Sequence, residues 1–513
     1  MKRIGIDVGG TNTDAILVEG DALLAAVKSP TTDDVTGGVA ASLARLLAEA
    51  GPRAGGIDAV MIGTTHFTNA VVQRRDLVRI AALRISLPAG ASLPPTVDWP
   101  DDLRAAVDPM TIMVAGGHEY DGRPIAPLDE AAVRAAAARV RDAGIGAVGV
   151  TAAFSPLTAE AETRAAEILA ELCPGVSITL SHELGRIGLL ERENVTLMNA
   201  ALSALGVRTV AAFEAALAAS GIRAPVYLTQ NDGTVMRAAM AARHPVFGFA
   251  SGPTNSMRGA AILTGMADGM VVDVGGTTAD IGSLVNGFPR EANGVVQVGG
   301  VRTLFRMPDL LSLALGGGTV VDPATGAVGP RSVGHRLTRD AMVFGGGTLT
   351  LTDVAVAAGL VDLGDRGRVA RLDPALVTAV LGRVRTMLEE GVDRMKVSAD
   401  DVRLVAVGGG AFLVPDRIAG VDEGVRVPHA GVANAVGAAA AQVSGEVDQV
   451  FADRTRERAI EEALALATGR AVAAGADPAT VTTVEVEDLP LAYLPGDALR
   501  VRARVVGAIA AAA

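Results

Sequence analysis

From its first residues to about position 445 the chain alternates short apolar runs with longer Ala- and Leu-rich stretches of helical period. Short runs closed by Gly, Pro or Asn read as strands and the longer periodic stretches as helices, so the pattern predicts an α/β fold. Strands are expected at 59–62, 78–87, 111–115, 147–150, 176–180 and 225–229. Helices are expected over 35–50, 129–143, 159–172, 256–265, 373–395 and 431–445. A long helical region from Ser181 to about Ser220 reads as the link between two lobes. Beyond Glu446 the pattern turns to alternating Val and charge at 482–488 and 499–506, which predicts a small β-rich C-terminal appendage. The expected organisation is therefore a first lobe at 1–180, a second at 181–445 and a small region at 446–513.

Two of the apolar runs end in the same motif. IGIDVGGTNTDAI at 4–16 and VVDVGGTTADIG at 271–282 align as D-V-G-G-T-x-x-D, with Asp7 over Asp273 and Asp14 over Asp280. In each copy glycines turn the backbone tightly and let N–H groups approach an oxyanion, while hydroxyl side chains add neutral donors. Gly9, Gly10, Thr11, Asn12, Thr13 and Gly275, Gly276, Thr277, Thr278 are thus candidate phosphate ligands, and Asp7 and Asp273 candidate holders of a hydrated Mg²⁺. The bland reading is two ordinary strand-turn-strand hairpins. A third apolar run, 402–407, ends in Gly408, Gly409 and Gly410. Two such hairpins followed by a late glycine turn resemble the order in the actin, Hsp70 and sugar-kinase superfamily. That resemblance implies a duplicated, ribonuclease H-like two-lobed ATPase, with the late turn against the adenosine of ATP.

Composition narrows the partners. Net charge is −12 and the basic clusters are short, which argues against nucleic acid. Three lysines stand against 42 arginines, none in a G-K-[ST] context, so a P-loop NTPase is excluded. The single cysteine, Cys173, has no internal partner, and no uncharged apolar stretch is long enough for a membrane span; a cytoplasmic protein is expected.

The segment GTTHFTNAVV at 63–72 follows a short strand, where open α/β sheets bind ligands. It resembles, with SHEL at 181–184, ERENVTLMNA at 191–200, Gln230-Asn231, SGP at 251–253, LGGGT at 315–319, GPRSVG at 329–334 and LTLTD at 349–353, the hydantoinase/oxoprolinase family. The resemblance covers about the first 445 residues. It implies ATP-dependent hydrolysis of a cyclic amide, such as a hydantoin, 5-oxoproline or another lactam, through phosphorylation of the amide oxygen. On it Thr64, Thr65, His66, Asn69, His182 and Asn231 are expected to face the substrate, with His66, Asp7 and Asp273 catalytic. Two departures accompany it. RLTRDAMVF at 336–344 replaces a Pro-Gly-Pro-Ala-Cys-Tyr-Gly segment of longer members, and the large second half of single-chain oxoprolinases is missing. A hydantoinase B-like partner subunit, in a homo- or hetero-oligomer, is the corresponding expectation. A small-molecule kinase and an actin-like nucleotide switch remain the alternatives.

Overall fold

The computed structural model describes the chain apart from residues 10–11, 21, 31–34, 186, 293, 305, 492–497 and 511–513. The first hairpin motif folds as β1 (Lys2–Val8) antiparallel to β2 (Asn12–Glu19), which β3 (Ala22–Pro30) extends. On its other side β1 runs parallel to β4 (Ala59–Thr64). Four more strands, β5 (Ile80–Leu87), β6 (Met110–Ala115), β7 (Ala147–Ala152) and β8 (Ser177–Leu180), form a separate all-parallel sheet ordered β6-β5-β7-β8. The chain then returns to the first sheet, where β9 (Val226–Thr229) lies parallel to β4 and β10 (Val235–Arg237) antiparallel to β9.

The second motif repeats the plan. β11 (Gly269–Val274) and β12 (Ala279–Val285) make the hairpin, and β13 (Phe288–Pro289) continues from β12. Two small hairpins follow, β14 (Val296–Val298) with β15 (Val301–Thr303), and β17 (Thr319–Val321) with β18 (Val328–Ser332), while β16 (Leu310–Leu313) joins β12. β19 (Val402–Val407) runs parallel to β11 and β20 (Val421–Arg426) parallel to β19. The two sheets thus share one topology: an antiparallel three-strand start, then two parallel strands on the far side of the first. This is the duplicated, ribonuclease H-like arrangement of a two-lobed actin-like ATPase.

The C-terminal residues are built into the first sheet. β21 (Val443–Phe451) pairs with β10, β23 (Leu499–Gly507) with β21, and β22 (Thr482–Pro490) closes the nine-stranded edge. Strands on both sides of positions 181 and 446 therefore share one sheet. The helix Arg456–Ala473 covers these strands with Ala459, Ala463, Ala467 and Ala471, all fully buried. Its four-residue alanine spacing among charges carries little apolar contrast, and the sequence reading passed over it.

Capping explains several helix ends. Asp129 accepts from the Ala132 N–H at the start of Glu130–Asp142, and Thr350 and Asp353 form a reciprocal capping box for Leu351–Ala358. The helix expected from 256 begins earlier, as Ser251–Thr264, because Pro253 falls in its first turn, where no N–H is needed. The long helix is Leu189–Ala219, and its expected role needs correcting. It packs between β7 and the helix Val35–Ala50, so it joins the two sheets of the first half rather than linking the lobes. It is long and apolar enough to cross a membrane, but it is buried from Arg192 to Leu202, as a core helix would be.

Two helices occupy the seam between the duplicated sheets. Ser251–Thr264 packs Met257, Ala260 and Ala261 against β11 and β19, and Ala433–Ala440 packs Ala435, Val436 and Ala439 against β2. They touch each other backbone to backbone. A Cβ at Gly259 would overlap the Ala433 carbonyl, and one at Gly437 the Asn255 carbonyl. Overpacking of this kind costs about 1–3 kcal/mol or more. Gly437→Ala is accordingly expected to lower the urea midpoint by at least that free energy at unchanged slope. Gly382→Ala, whose Cβ would meet open space on an exposed helix face, is expected to raise stability by about 0.5–1 kcal/mol. Paired urea titrations check both.

Candidate functional site

The two hairpins meet at this seam. In β1–β2 Asp7 stands opposite Asp14, and the Gly9 N–H donates to the Asn12 carbonyl at 3.0 Å. In β11–β12 Asp273 stands opposite Asp280, and the Gly275 N–H donates to the Thr278 carbonyl at 2.9 Å. The turns close with the same bond because the same residues occupy the same register. Gly10 and Thr11 lie outside the described residues. Asn12 is half-buried, Thr13 is buried, and Thr277 and Thr278 are exposed. The second turn is braced from behind by Gly317 and Gly318, which donate to the Gly275 and Gly276 carbonyls at 3.0 and 2.7 Å.

The third glycine turn abuts the end of β11. Gly408 has φ +88°, and a Cβ there would overlap the Asp273 carboxylate and the Val274 carbonyl, so only glycine lets this turn lie where it does. Gly410 donates to the Val274 carbonyl at 2.7 Å, whereas Gly409 is exposed with open space around it.

Asp7 is only 3% exposed. Asn255 Nδ2 donates to its Oδ1 at 3.1 Å and Asn434 Nδ2 to its Oδ2 at 2.9 Å. Asn434 also reaches Asp14 Oδ2 at 3.0 Å, and Lys28 Nζ sits 2.7 Å from Asp14 Oδ1. Burial pushes the Asp7 carboxyl up to about 6 against the pull of the two amides, and Asp14 and Asp273 repel it further. Asp273 is likewise pushed up to about 6 by burial, against a hydrogen bond from Ser256; Asp280 and Asp14 add repulsion and Lys28 opposes them. These effects pass from one lobe to the other, so the two halves of the repeat share one electrostatic site. Among the described residues neither Asp7 nor Asp273 is bonded to a cationic side chain, and no group of three or more His, Cys, Asp or Glu converges as a metal-ligand set. Two carboxylates with neutral partners, Asp7 buried and Asp273 half-buried, fit a hydrated divalent cation that takes its remaining ligands from water and phosphate.

The GTTHFTN loop adjoins the first hairpin. The Thr65 N–H and Oγ1 both lie within reach of the Val8 carbonyl, at 3.4 and 3.5 Å, and Asn69 Nδ2 donates to Thr65 Oγ1 at 3.2 Å. Thr64 is buried, its N–H and carbonyl both bonded to Ser251 Oγ, so it locks the loop. His66 opens the helix His66–Gln73, and burial lowers its pKa while Asp76 opposes the shift, which keeps the imidazole neutral at neutral pH.

Two expected substrate residues lie elsewhere. Asn231 is 3% exposed, its amide accepting from the Ala250 N–H at 2.8 Å and donating to the Val246 carbonyl at 3.1 Å, and it lines the same cavity as His182. His182 lines a cavity of about 810 Å³ together with Gln230, Met236, Phe247 and Ser444, apart from the 63–69 loop. Conversely, sequence reasoning passed over Lys28, Asn255, Ser256 and Asn434. Asp14 and Asp280 were visible as the last position of the repeated motif; the amides carried no signal, because they come from helices distant in sequence.

Comparison with known proteins agrees with this architecture. The model for the hydantoinase/oxoprolinase N-terminal region matches residues 3–173, and the model for hydantoinase/oxoprolinase matches residues 192–365. The chain belongs to the hydantoinase/oxoprolinase family. Among family relatives, caprolactamase subunit alpha of Pseudomonas jessenii is 27% identical over 429 residues, which is 77% of this chain and 60% of that one. An uncharacterized protein of Methanocaldococcus jannaschii is 25% identical over 295 residues, 54% of this chain and 43% of that one. The chain thus spans less than two thirds of the length of either relative. In fold it is similar to the ATP-dependent caprolactamase of Pseudomonas jessenii, with a TM-score of 0.75 at 20% identity over 98% of this chain and 87% of that one. It is also similar to nucleotide-free acetone carboxylase, with a TM-score of 0.69 at 19% identity over 99% and 88%.

The carboxylates make stability depend on pH. Each binds its proton more tightly in the folded than in the unfolded chain, so the stabilisation is complete below about pH 4 and is lost as pH rises through about 6. A shift of this size corresponds to about 3 kcal/mol per group. Without divalent ions, Asp7→Asn is therefore expected to melt above the native protein at pH 8, by a margin that shrinks toward pH 5. Thermal scans at the two pH values check the sign.

Proposed function

We propose that this chain binds Mg-ATP between its two hairpins and uses it to open a cyclic amide, as one subunit of a two-component enzyme. The observation that carries the reading is the pair of carboxylates, buried Asp7 and half-buried Asp273, brought to one site by a duplicated topology and bonded only to neutral donors. Asp7 and Asp273 would hold a Mg²⁺, whose positive charge would offset the negative charge of the phosphate oxygens. Turn amides with Asn12, Thr277 and Thr278 orient the phosphates, and the open flank of Gly408–Gly410 takes the adenosine. His66 and Asn69 offer neutral polar groups at the phosphate site beside the first hairpin.

An unstrained amide is a poor electrophile. Transfer of the γ-phosphoryl group to its oxygen makes the carbon open to water. Water adds, the C–N bond breaks with the nitrogen leaving as an amine, and the resulting acyl phosphate takes a second water to give a carboxylate and inorganic phosphate. Positioning and charge neutralisation are most of what the protein must provide. The caprolactamase relative, named for a lactam and as a subunit alpha, supports both the substrate class and a partner chain. The buried, unpaired Cys173 fits a reducing, cytoplasmic setting.

The test is ADP release from Mg-ATP with a panel of lactams, hydantoins and polyols, with the chain alone and with a hydantoinase B-like partner. A lactam or hydantoin is expected to stimulate release and to yield a ring-opened, unphosphorylated product by mass. Asp273→Asn is expected to keep the fold and lose Mg-dependent turnover by about 100-fold or more. A product heavier by one phosphate, or turnover unchanged in the variant, would sink this reading.

A further inference from the structure

The cavity at the carboxyl end of β9 carries a second arrangement that phosphoryl transfer does not use. Glu162, on the helix Glu160–Leu172, is fully buried. Its Oε1 accepts from the Ala152 N–H at 2.8 Å and from Ser181 Oγ at 2.5 Å. Its Oε2 accepts from the His182 N–H at 3.1 Å and lies 2.7 Å from His182 Nδ1. Burial works to raise the Glu162 pKa, but the bonds from His182, Ser181 and Ser155 outweigh it and hold the carboxyl below its usual range. An ionised Glu162 can only accept, so Nδ1 carries a proton, and in the neutral imidazole Nε2 keeps its lone pair. Nε2 has no hydrogen-bond partner among the described residues, and His182 lines the cavity.

The cavity wall begins beside the nucleotide site. Asn255 Nδ2 bonds both Asp7 Oδ1 and Thr229 Oγ1, at 3.1 and 3.2 Å, and Gln230, the next residue, lines the cavity. Met236, Met240, Phe247 and Leu184 supply apolar surface suited to a small ring.

We propose that this cavity takes the ring of the amide and that His182 Nε2 is the base for its hydrolysis, held in register by Glu162. The proposal rests on the amide-hydrolase reading given above. Nε2 takes a proton from water as the water oxygen bonds to the phosphorylated amide carbon, then returns it to the ring nitrogen as the C–N bond breaks. The histidine ends neutral and nothing is oxidised or reduced. Glu162 is a positioning residue. The charged groups around the imidazole are Glu162 and Arg192 on one side and Glu183, paired with Arg243, beside it. Across the cavity stand Asp232 and the Arg306–Glu446 pair.

Two measurements on the full chain test it. In histidine-¹⁵N spectra between pH 5 and 9, with His182→Asn assigning the signal, native His182 is expected to hold its neutral-form proton on Nδ1, and Glu162→Gln to shift it toward Nε2. A proton on Nε2 in the native protein overturns the base role whatever the substrate. With Mg-ATP, ε-caprolactam and the hydantoinase B-like partner, His182→Asn, which keeps a donor for Glu162 but has no basic nitrogen, is expected to lower kcat by about 10²–10⁴-fold. Its affinity for a non-hydrolysable ATP analogue should stay within twofold of native. Glu162→Gln is expected to lower kcat by about 10–100-fold and to move the acid limb of the pH profile. Native-like kcat in His182→Asn, where the native enzyme is stimulated by ε-caprolactam, overturns the proposal alone. No stimulation of the native enzyme by any lactam overturns the amide reading, and the proposal with it.

Discussion

The contact on which the rest of this structure depends is the crossing of Ser251–Thr264 and Ala433–Ala440. Glycine on both sides lets the two backbones touch, and each helix lies on a different sheet. This contact sets how the duplicated halves stand to one another. The same helices carry Asn255 and Asn434, the two amides that grip Asp7. One packing constraint therefore places both the sheets and the donors around the carboxylate. A wider crossing would withdraw those donors and leave Asp7 buried without partners, which is the costlier state.

The electrostatics of the seam follow from that closeness. A protein selected only for stability would not bury Asp7 and half-bury Asp273 with neutral partners, because each ionised carboxylate loses hydration that no cation restores. Lys28 is paired with Asp14, one strand away, and not with Asp7. Carboxylates held in this way gain from a bound cation, which is the basis of the metal site proposed between the hairpins. By contrast, Asp232 and Glu446 near the C-terminal strands are matched with Arg504 and Arg306.

Much of this was legible beforehand. The repeated D-V-G-G-T-x-x-D located both hairpins, and the helical period placed Glu130–Asp142 and Pro374–Met395 within a residue of their observed ends. The errors share a cause. The helix Arg456–Ala473 was overlooked because alanine buries a face without marking it as apolar, and the long helix Leu189–Ala219 was assigned to the wrong neighbours because its apolar surface does not name its partner. Of the expected substrate residues, His182 and Asn231 share one cavity wall while Thr65 and Asn69 bond to each other in another loop, a division that only the fold decides.

The sequence by itself determined what is local: strand and helix periods, turn glycines, capping residues, and the duplication that implies two equivalent lobes. These depend on interactions among residues a few positions apart. Tertiary structure alone decided which side chains meet. Asp7 joins Asn255 and Asn434 across 248 and 427 positions. Glu162 meets His182 because β7 and β8 are parallel neighbours and the helix between them packs back on both. The C-terminal strands enter the first sheet because β10 leaves an edge for β21. A side chain's partner across the fold is set by packing geometry, which a linear pattern of polar and apolar residues does not encode.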